Sequence, residues 1–259
     1  MSIETIQAEN ILGWRKKMLL RGGNLSDIDW LLDLGAGLSG VDINKLYLYP
    51  KSLVQIGISL NQLEKIWVSH LKDHVPLQYL LGKCPWRDFE LEVNQDVLIP
   101  RQETELLVEF ALQKFDHQSK GVWVDLGTGS GALAVSLSRS LPFWEGHAVD
   151  CSQSALFIAK RNIDRLSINC QISLHLGSWW EPLSPYFEII DLVVANPPYI
   201  PLDVMNELDP LVRNNEPYIA LCGGEDGLEA CREVISGSFK ALTSGGWLML
   251  EHHYDQSEK

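Results

Sequence analysis

The 259-residue chain is short of cations: 21 Lys and Arg face 34 Asp and Glu, for a formal net charge of −13. Strong, sequence-blind binding to duplex DNA rests on neutralising phosphates, so this balance argues against it. It favours a small-molecule site or a basic macromolecular partner. Nowhere do about 18 apolar residues run together without a charge, so no membrane span is expected. The first ten residues carry early acids and no apolar stretch, and do not read as a signal peptide. Cysteines are few, and no two are spaced C-x-x-C. The five present (Cys84, Cys151, Cys170, Cys222, Cys231) are odd in number and irregular in spacing. That excludes a zinc knuckle and a disulfide framework, and suits reduced thiols in a cytoplasmic protein. What remains is an ordinary globular composition, 46% hydrophobic and 21% charged, long enough to bury a core unaided.

The first eighty residues read as helical. Ile6 to Leu20 is amphipathic, a second helix starts at a Ser26 cap with Asp29 three residues on, and a third runs from about Leu60 to Leu71. After Gly82 the pattern changes. Phe89 to Val93 alternates apolar and polar, Asn94-Gln95-Asp96 reads as a turn, and Val97-Leu98-Ile99 follows, which predicts a hairpin linking two domains. A helix is expected over Glu103 to Lys114, with Leu106, Leu107, Phe110 and Ala111 on its buried face. From Gly121 strands and helices alternate. Strands are expected at Val122–Val124, His147–Val149, Ile172–Leu176, Ile189–Ala195 and Trp247–Leu250. Helices are expected at 132–139, 152–165 and 227–242. This alternation predicts an open, parallel α/β sheet with ligands at the carboxyl ends of its strands. The unbroken apolar run 189–195 predicts a strand buried on both faces.

Two glycine runs compete for the ligand. Gly35-Ala36-Gly37-Leu38-Ser39-Gly40 matches the dinucleotide fingerprint G-x-G-x-x-G letter for letter. However, Ile28, Leu31, Leu32 and Gly35 lie at helical spacing before it, so it reads as a helix ending in glycine. Asp125-Leu126-Gly127-Thr128-Gly129-Ser130-Gly131 has the spacing G-x-G-x-G, follows a strand and opens a helix. With Asp125 before the glycines and Asp150 ending the next strand, it suits a nucleoside without a pyrophosphate. Asp150 can accept both ribose hydroxyls.

Asn196-Pro197-Pro198-Tyr199 directly follows a strand. Two prolines fix φ and remove two backbone donors, making the turn rigid. The Asn196 side-chain oxygen and the Pro197 carbonyl can point at one NH2 group, and two acceptors suit a planar amino or amide nitrogen. Tyr199 can lie across the plane of the conjugated group.

These motifs resemble those of S-adenosylmethionine-dependent methyltransferases that modify amino or amide nitrogens. The tetrapeptide alone is shared by glutamine-amide, adenine-N6 and cytosine-N4 enzymes. Val97-Leu98-Ile99-Pro100-Arg101-Gln102-Glu103-Thr104-Glu105 resembles a segment of the bacterial release factor glutamine methyltransferases (the HemK/PrmC family). So do Arg213, Glu216-Pro217, Ala220-Leu221, Gly223 to Gly227, Gly245-Gly246 and Leu250-Glu251-His252. The resemblance implies a Rossmann-like class I methyltransferase domain over 101–259, a linker hairpin over 81–100 and a helical substrate-recognition domain over 1–80. It implies methyl transfer from S-adenosylmethionine to the glutamine amide N5 of the Gly-Gly-Gln motif in class I peptide-chain release factors. Gly127, Thr128, Gly129, Ser130, Gly131, Asp150, Trp179 and Asn196 would then line the cofactor, and Asn196, Pro197, Pro198 and Tyr199 would hold the target amide. No metal, membrane or direct nucleic-acid partner is expected.

Three features depart from the family pattern. Ser178 stands where many relatives carry an acid, Trp86-Arg87 replaces the usual hairpin pair, and the chain stops soon after Glu251, where relatives add further strands. The fifth strand would then be an exposed edge. An adenine-N6 or ribosomal-protein glutamine methyltransferase, or a binding protein without catalysis, are the competing readings. His70 and His74, at i and i+4, read as surface histidines, and His252-His253 as a strand end. Trp123 and Trp247 read as core. Arg101, Glu103 and Glu105 read as ion-pairing support for the hairpin and cofactor site.

Overall fold

The computed structural model describes residues 4–166 and 171–258, and Cys170 lies outside them. The chain divides into two compact units, Met1–Leu81 and Gly82–Lys259.

The first unit is built from β1 (Glu4–Gln7), α1 (Ala8–Leu19), α2 (Leu25–Leu31), α3 (Gly40–Leu48), β2 (Leu53–Ile56), α4 (Leu60–Asp73) and α5 (Leu77–Leu81). It is not helical throughout, because β1 and β2 pair antiparallel, with Glu4 opposite Ile56 and Gln7 opposite Leu53. Four residues are too few to show a period of two, so neither strand stood out in the sequence. The α2 cap is also displaced. The Asn24 side chain, not Ser26, accepts the Asp27 amide at 2.8 Å, while Asp29 takes a two-pronged bond from Arg15 at 2.6 and 2.7 Å. At α4 Ser59 and Gln62 form a reciprocal capping box.

α2 widens into one π-helical turn, Leu32–Ala36, and stops at Gly37, whose φ of 76° is left-handed. The dinucleotide-like run is therefore a helix end, as its spacing predicts. The core joins Ile11, Met18, Ile28, Leu31, Leu63 and Trp67, and the Trp67 indole donates to the Met18 carbonyl at 3.2 Å. His70 is not a surface residue. Its ring is buried near Trp67, with Nδ1 2.9 Å from the Val75 carbonyl, because left-handed His74 turns the chain back over the end of α4.

The second unit opens with β3 (Lys83–Trp86) and β4 (Phe89–Glu92), paired as a hairpin. The expected hairpin sat one strand too late. The chain reverses at Arg87-Asp88, where Arg87 takes a φ of 49°. A turn without glycine carries little sequence signal. Asn94–Asp96 is a turn as expected, with the Asp96 amide bonded to the Asn94 side chain at 3.0 Å, but Val97 to Ile99 forms no strand.

Next come α6 (Glu105–Lys114), β5 (Val122–Leu126), α7 (Ala132–Ser140), β6 (Glu145–Asp150), α8 (Gln153–Leu166), β7 (Gln171–Leu176) and β8 (Ile190–Ala195). The short α9 (Pro210–Arg213) and α10 (Tyr218–Leu221), α11 (Glu229–Ala241) and β9 (Leu242–Leu250) complete the unit. The strands form one parallel sheet in the order β7-β6-β5-β8-β9. Leu192 to Ala195 are wholly buried, so β8 is covered on both faces, as its apolar run predicts. On β6, Gly146 leaves room for the ring of Trp123, since a Cβ there would sit 2.1 Å from it.

Two apolar expectations fail. On α6 the buried side carries Leu107, Val108 and Ala111, while Leu106 and Phe110 are half exposed. Trp247 is 43% exposed and covered in part by the Lys114 ammonium, 4.0 Å above its ring. Both follow from an apolar pattern that shows how many residues are buried better than which neighbour buries them. β9 ends the sheet among the described residues, so Trp247 has no further strand beside it.

Candidate active site

The order of the sheet puts its switch point between β5 and β8, where crossovers depart to opposite sides and the strand ends splay into a crevice. A cleft of about 620 Å³ opens there. It is lined by Gly127 and Gly129 after β5, Asp150 at the end of β6 and Cys151 beyond it, Gly177 to Trp179 after β7, and Asn196 and Pro198 after β8.

The loop after β5 is shaped by left-handed backbone: φ is 75° at Gly127, 54° at Gly129 and 83° at Gly131. Side-chain-bearing residues adopt such angles at a cost. The amides of Gly127 and Thr128 both bond the Val149 carbonyl at 2.9 Å, which folds the loop back across the end of β6. Gly131 starts α7, and a Cβ there would lie 3.3 Å from the Ala159 backbone, so its small size lets α7 and α8 pack.

Asp125 is sealed beneath the loop. Its Oδ2 accepts the Thr128 hydroxyl at 2.6 Å and the Ala134 amide at 3.2 Å. Burial pushes its carboxyl up to about 7, against the pull of those two donors. Asp125 therefore holds the loop rather than a ligand.

Asp150 is differently placed. One oxygen accepts the Gly129 amide at 2.8 Å and the other the Ser152 amide at 2.9 Å, and both belong to a group on the cleft wall. Each carboxylate oxygen has capacity for a further donor. Burial raises its pKa, opposed by these backbone bonds. Trp179, held at a φ of 46°, brings its ring within 3.5 Å of where a Gly127 side chain would begin. A side chain on the loop would enter the space that a flat ring system needs.

The turn after β8 is braced from behind. The Gly223 amide bonds the Ile200 carbonyl at 2.9 Å, and a Cβ at Gly223 would meet the Pro198 carbonyl at 2.7 Å. Gln256 donates to the Tyr199 carbonyl at 3.0 Å. The Asn196 amide donates from Nδ2 to the Thr104 hydroxyl at 2.9 Å. The Tyr199 hydroxyl donates to Glu251 at 3.4 Å. Burial, then the charge of Glu251, push the Tyr199 phenol up to about 12, so it stays protonated and cannot serve as a base. Glu251 itself is raised by burial, with bonds from Thr104, Tyr199 and Asn196 opposing.

The structure thus gathers Gly127, Gly129, Asp150, Trp179, Asn196 and Pro198 at one cleft. Thr128, Ser130, Gly131, Pro197 and Tyr199 do not line it. Thr128, Ser130, Gly131 and Pro197 are buried in the turns themselves, and Tyr199 reaches toward Glu251. Arg101 pairs with Glu216 at 2.7 Å rather than within its own segment, and Glu105 accepts the Arg87 amide of the hairpin at 3.1 Å. His252 and His253 fall just past β9, and His253 pairs with Asp255. Among the described residues no three His, Cys, Asp or Glu side chains are grouped to hold a metal, and no helix is long and apolar enough to cross a membrane. Sequence reasoning overlooked Thr104, Glu216 and Glu251. All three lay in segments that resembled the family, which was the available signal.

A glycine-lined crevice with an acid on the second strand and an Asn-Pro-Pro-Tyr turn on the fourth defines a methyltransferase. Residues 102–208 match the family described as "Methyltransferase small domain". The chain is similar to proteins named release factor glutamine methyltransferase. It is 56% identical to one from Prochlorococcus marinus over 262 residues, covering 100% of this chain and 89% of that protein. Identity is 39% to one from Thermosynechococcus vestitus (89% and 79% covered) and 36% to one from Synechocystis sp. (95% and 85%). The chain belongs to the release factor glutamine methyltransferase family.

Proposed function

We propose that the protein methylates the side-chain amide N5 of the glutamine in the Gly-Gly-Gln motif of class I peptide-chain release factors, with S-adenosylmethionine as donor, in the cytoplasm. The observation that carries this reading is the shared cleft: a carboxamide on a proline-stiffened turn faces the same space as the glycine loop and Asp150. The free acceptor capacity of Asp150 suits a ribose diol, and Trp179 over Gly127 suits a flat base. Thr128, Ser130 and Gly131 support that cradle from below. The donor, when bound, supplies an activated methyl on a sulfonium.

The protein's own part is orientation. An amide nitrogen is a weak nucleophile because its lone pair is delocalised. The Asn196 oxygen and the Pro197 carbonyl accept its two N–H groups, raise electron density on nitrogen and hold it in line for attack. Rate then comes from positioning and exclusion of water, not from a general base. The N-terminal unit is assigned to gripping the release factor, which fits a partner surface richer in cations than this acidic chain.

The test is transfer of tritiated methyl to a release factor, to its Gly-Gly-Gln glutamine-to-alanine variant, and to DNA. Label on the first alone supports the reading, and label on DNA or on the variant refutes it. Asn196→Ala is expected to cut kcat about 100-fold while leaving cofactor affinity within twofold by calorimetry. Equal loss of both would remove Asn196 from the amide-holding role. Asp150→Ala is expected to weaken cofactor binding chiefly.

A further inference from the structure

A side-chain carboxamide has two ends, and only one can accept the N–H groups of a substrate amide. If the Asn196 amide were turned over, its NH2 group would face the incoming donors and repel them. Something must decide which end faces the cleft. The tetrapeptide cannot, since neither proline has an N–H to bond the Asn196 oxygen.

We infer that Thr104 and Glu251 are positioning residues that fix the direction of the Asn196 carboxamide. The inference deepens the amide-methylation reading above and rests on it. Thr104 sits in the 3-10 turn that leads into α6, and Glu251 follows the end of β9. They are brought together with Asn196 at the end of β8. Thr104 is 4% exposed, so water does not compete for its hydroxyl. The hydroxyl has one proton to give and lone pairs to receive. An ionised Glu251 can only accept. It faces both the Thr104 hydroxyl and the Asn196 amide, and both hold its carboxyl down. The Thr104 oxygen is then left as an acceptor and takes the Asn196 Nδ2–H at 2.9 Å. Hydroxyl and carboxylate both call for the NH2 end of the carboxamide, which leaves the Asn196 oxygen for the cleft that Asn196 lines.

The same carboxylate takes the Tyr199 hydroxyl, so both ends of the tetrapeptide are tied to one charge. The groups facing Glu251 are Thr104 and Glu103 from the turn before α6, and Asn196 and Tyr199 from the turn after β8. Of these only Glu103 carries a charge, and it opposes ionisation. Burial also opposes it, so Glu251 takes up a proton more readily than an ordinary glutamate, and the device weakens when it does.

The test compares the full-length wild type with Thr104→Val, Thr104→Ser and Glu251→Gln. Wild-type methylation of a release-factor glutamine is the control for the functional reading. Its failure refutes that reading alone, because the second measurement below needs no turnover. Thr104→Val is expected to lower kcat at least tenfold with cofactor Kd within twofold, and Thr104→Ser to recover most of the loss. A Thr104→Val enzyme within twofold of wild type, or serine and valine variants equally impaired, overturns the inference.

The second measurement is the pH titration of the Asn196 side-chain NH2 resonances, assigned by their loss in Asn196→Asp. In the wild type they should shift with a midpoint above the ordinary glutamate value, and in Glu251→Gln they should stay flat. Identical titrations in the two proteins also overturn it.

Discussion

The two glycine runs invert the usual relation between motif and role. Gly35 to Gly40 reproduces a nucleotide-binding fingerprint and closes a helix inside a hydrophobic core. Gly127 to Gly131 departs from that fingerprint, and its Gly127 and Gly129 line the cleft. Both runs contain left-handed glycines, with φ of 76° at Gly37 and 75° at Gly127, so backbone conformation does not separate them. What separates them is the element each follows. A run after a parallel strand sits at a sheet's carboxyl edge, where the crevice opens, with its amides tied to the next strand, as Gly127 and Thr128 are to Val149 at 2.9 Å. A run after a helix spends its amides on the helix's own carbonyls, as Gly37 does on Asp33 at 2.9 Å.

This contrast can be broken by substitution. The largest effect is expected at the acid that precedes the functional run. Asp125 is protonated more readily folded than unfolded, so its contribution to stability is full below 3.8 and is lost as pH rises toward about 7. Asp125→Asn removes that loss. Its stability relative to wild type should climb between pH 4 and pH 7.5 by on the order of a few kcal/mol, read from urea melts at each pH. A constant difference would show that the buried carboxyl is not strained.

Next comes Gly35→Ala, whose Cβ would lie 2.7 Å from the fully buried Leu63 side chain. Overpacking of this kind costs about 1–3 kcal/mol of stability and should leave cofactor affinity unchanged. Gly127→Ala should do the converse. Strain at its positive φ, about 1–2 kcal/mol, should appear as roughly a tenfold loss of cofactor affinity by calorimetry. If Gly35→Ala weakened cofactor binding as much, the distinction drawn here would fail. The smallest effect is expected at Gly40, which has open space around it and opens α3 behind its Ser39 cap. Gly40→Ala should be neutral or stabilise by a few tenths of a kcal/mol in thermal melts.

The same logic explains what could be read in advance. The parallel sheet, the burial of β8, the loop after β5 and the tetrapeptide turn were legible, because each rests on local chemistry: an apolar run, φ at glycine, φ at proline. The strands β1 and β2 were not, since a pairing across some fifty residues leaves no mark in four-residue segments. The hairpin register was missed because its turn uses Arg87 and Asp88 instead of glycine. Trp247 and His70 exchanged places, the tryptophan half exposed and the histidine buried, because hydrophobicity alone does not say where a sheet stops or a chain doubles back. Asp150 and Asn196 line the cleft, where their positions at the ends of strands put them. Thr104 and Glu251 act through another side chain, and such a role has no signature in linear order.

The Arg101–Glu216 ion pair joins positions 115 apart, with the Glu216 side chain only 1% exposed. A chain emerging from the ribosome would expose Arg101, the glycine loop and the tetrapeptide well before Glu216 arrives to neutralise that guanidinium. The part of the cleft wall that begins at Pro217 is likewise made only after synthesis has passed this point. A ligand that recognises the completed wall would favour the mature fold over its precursors by mass action.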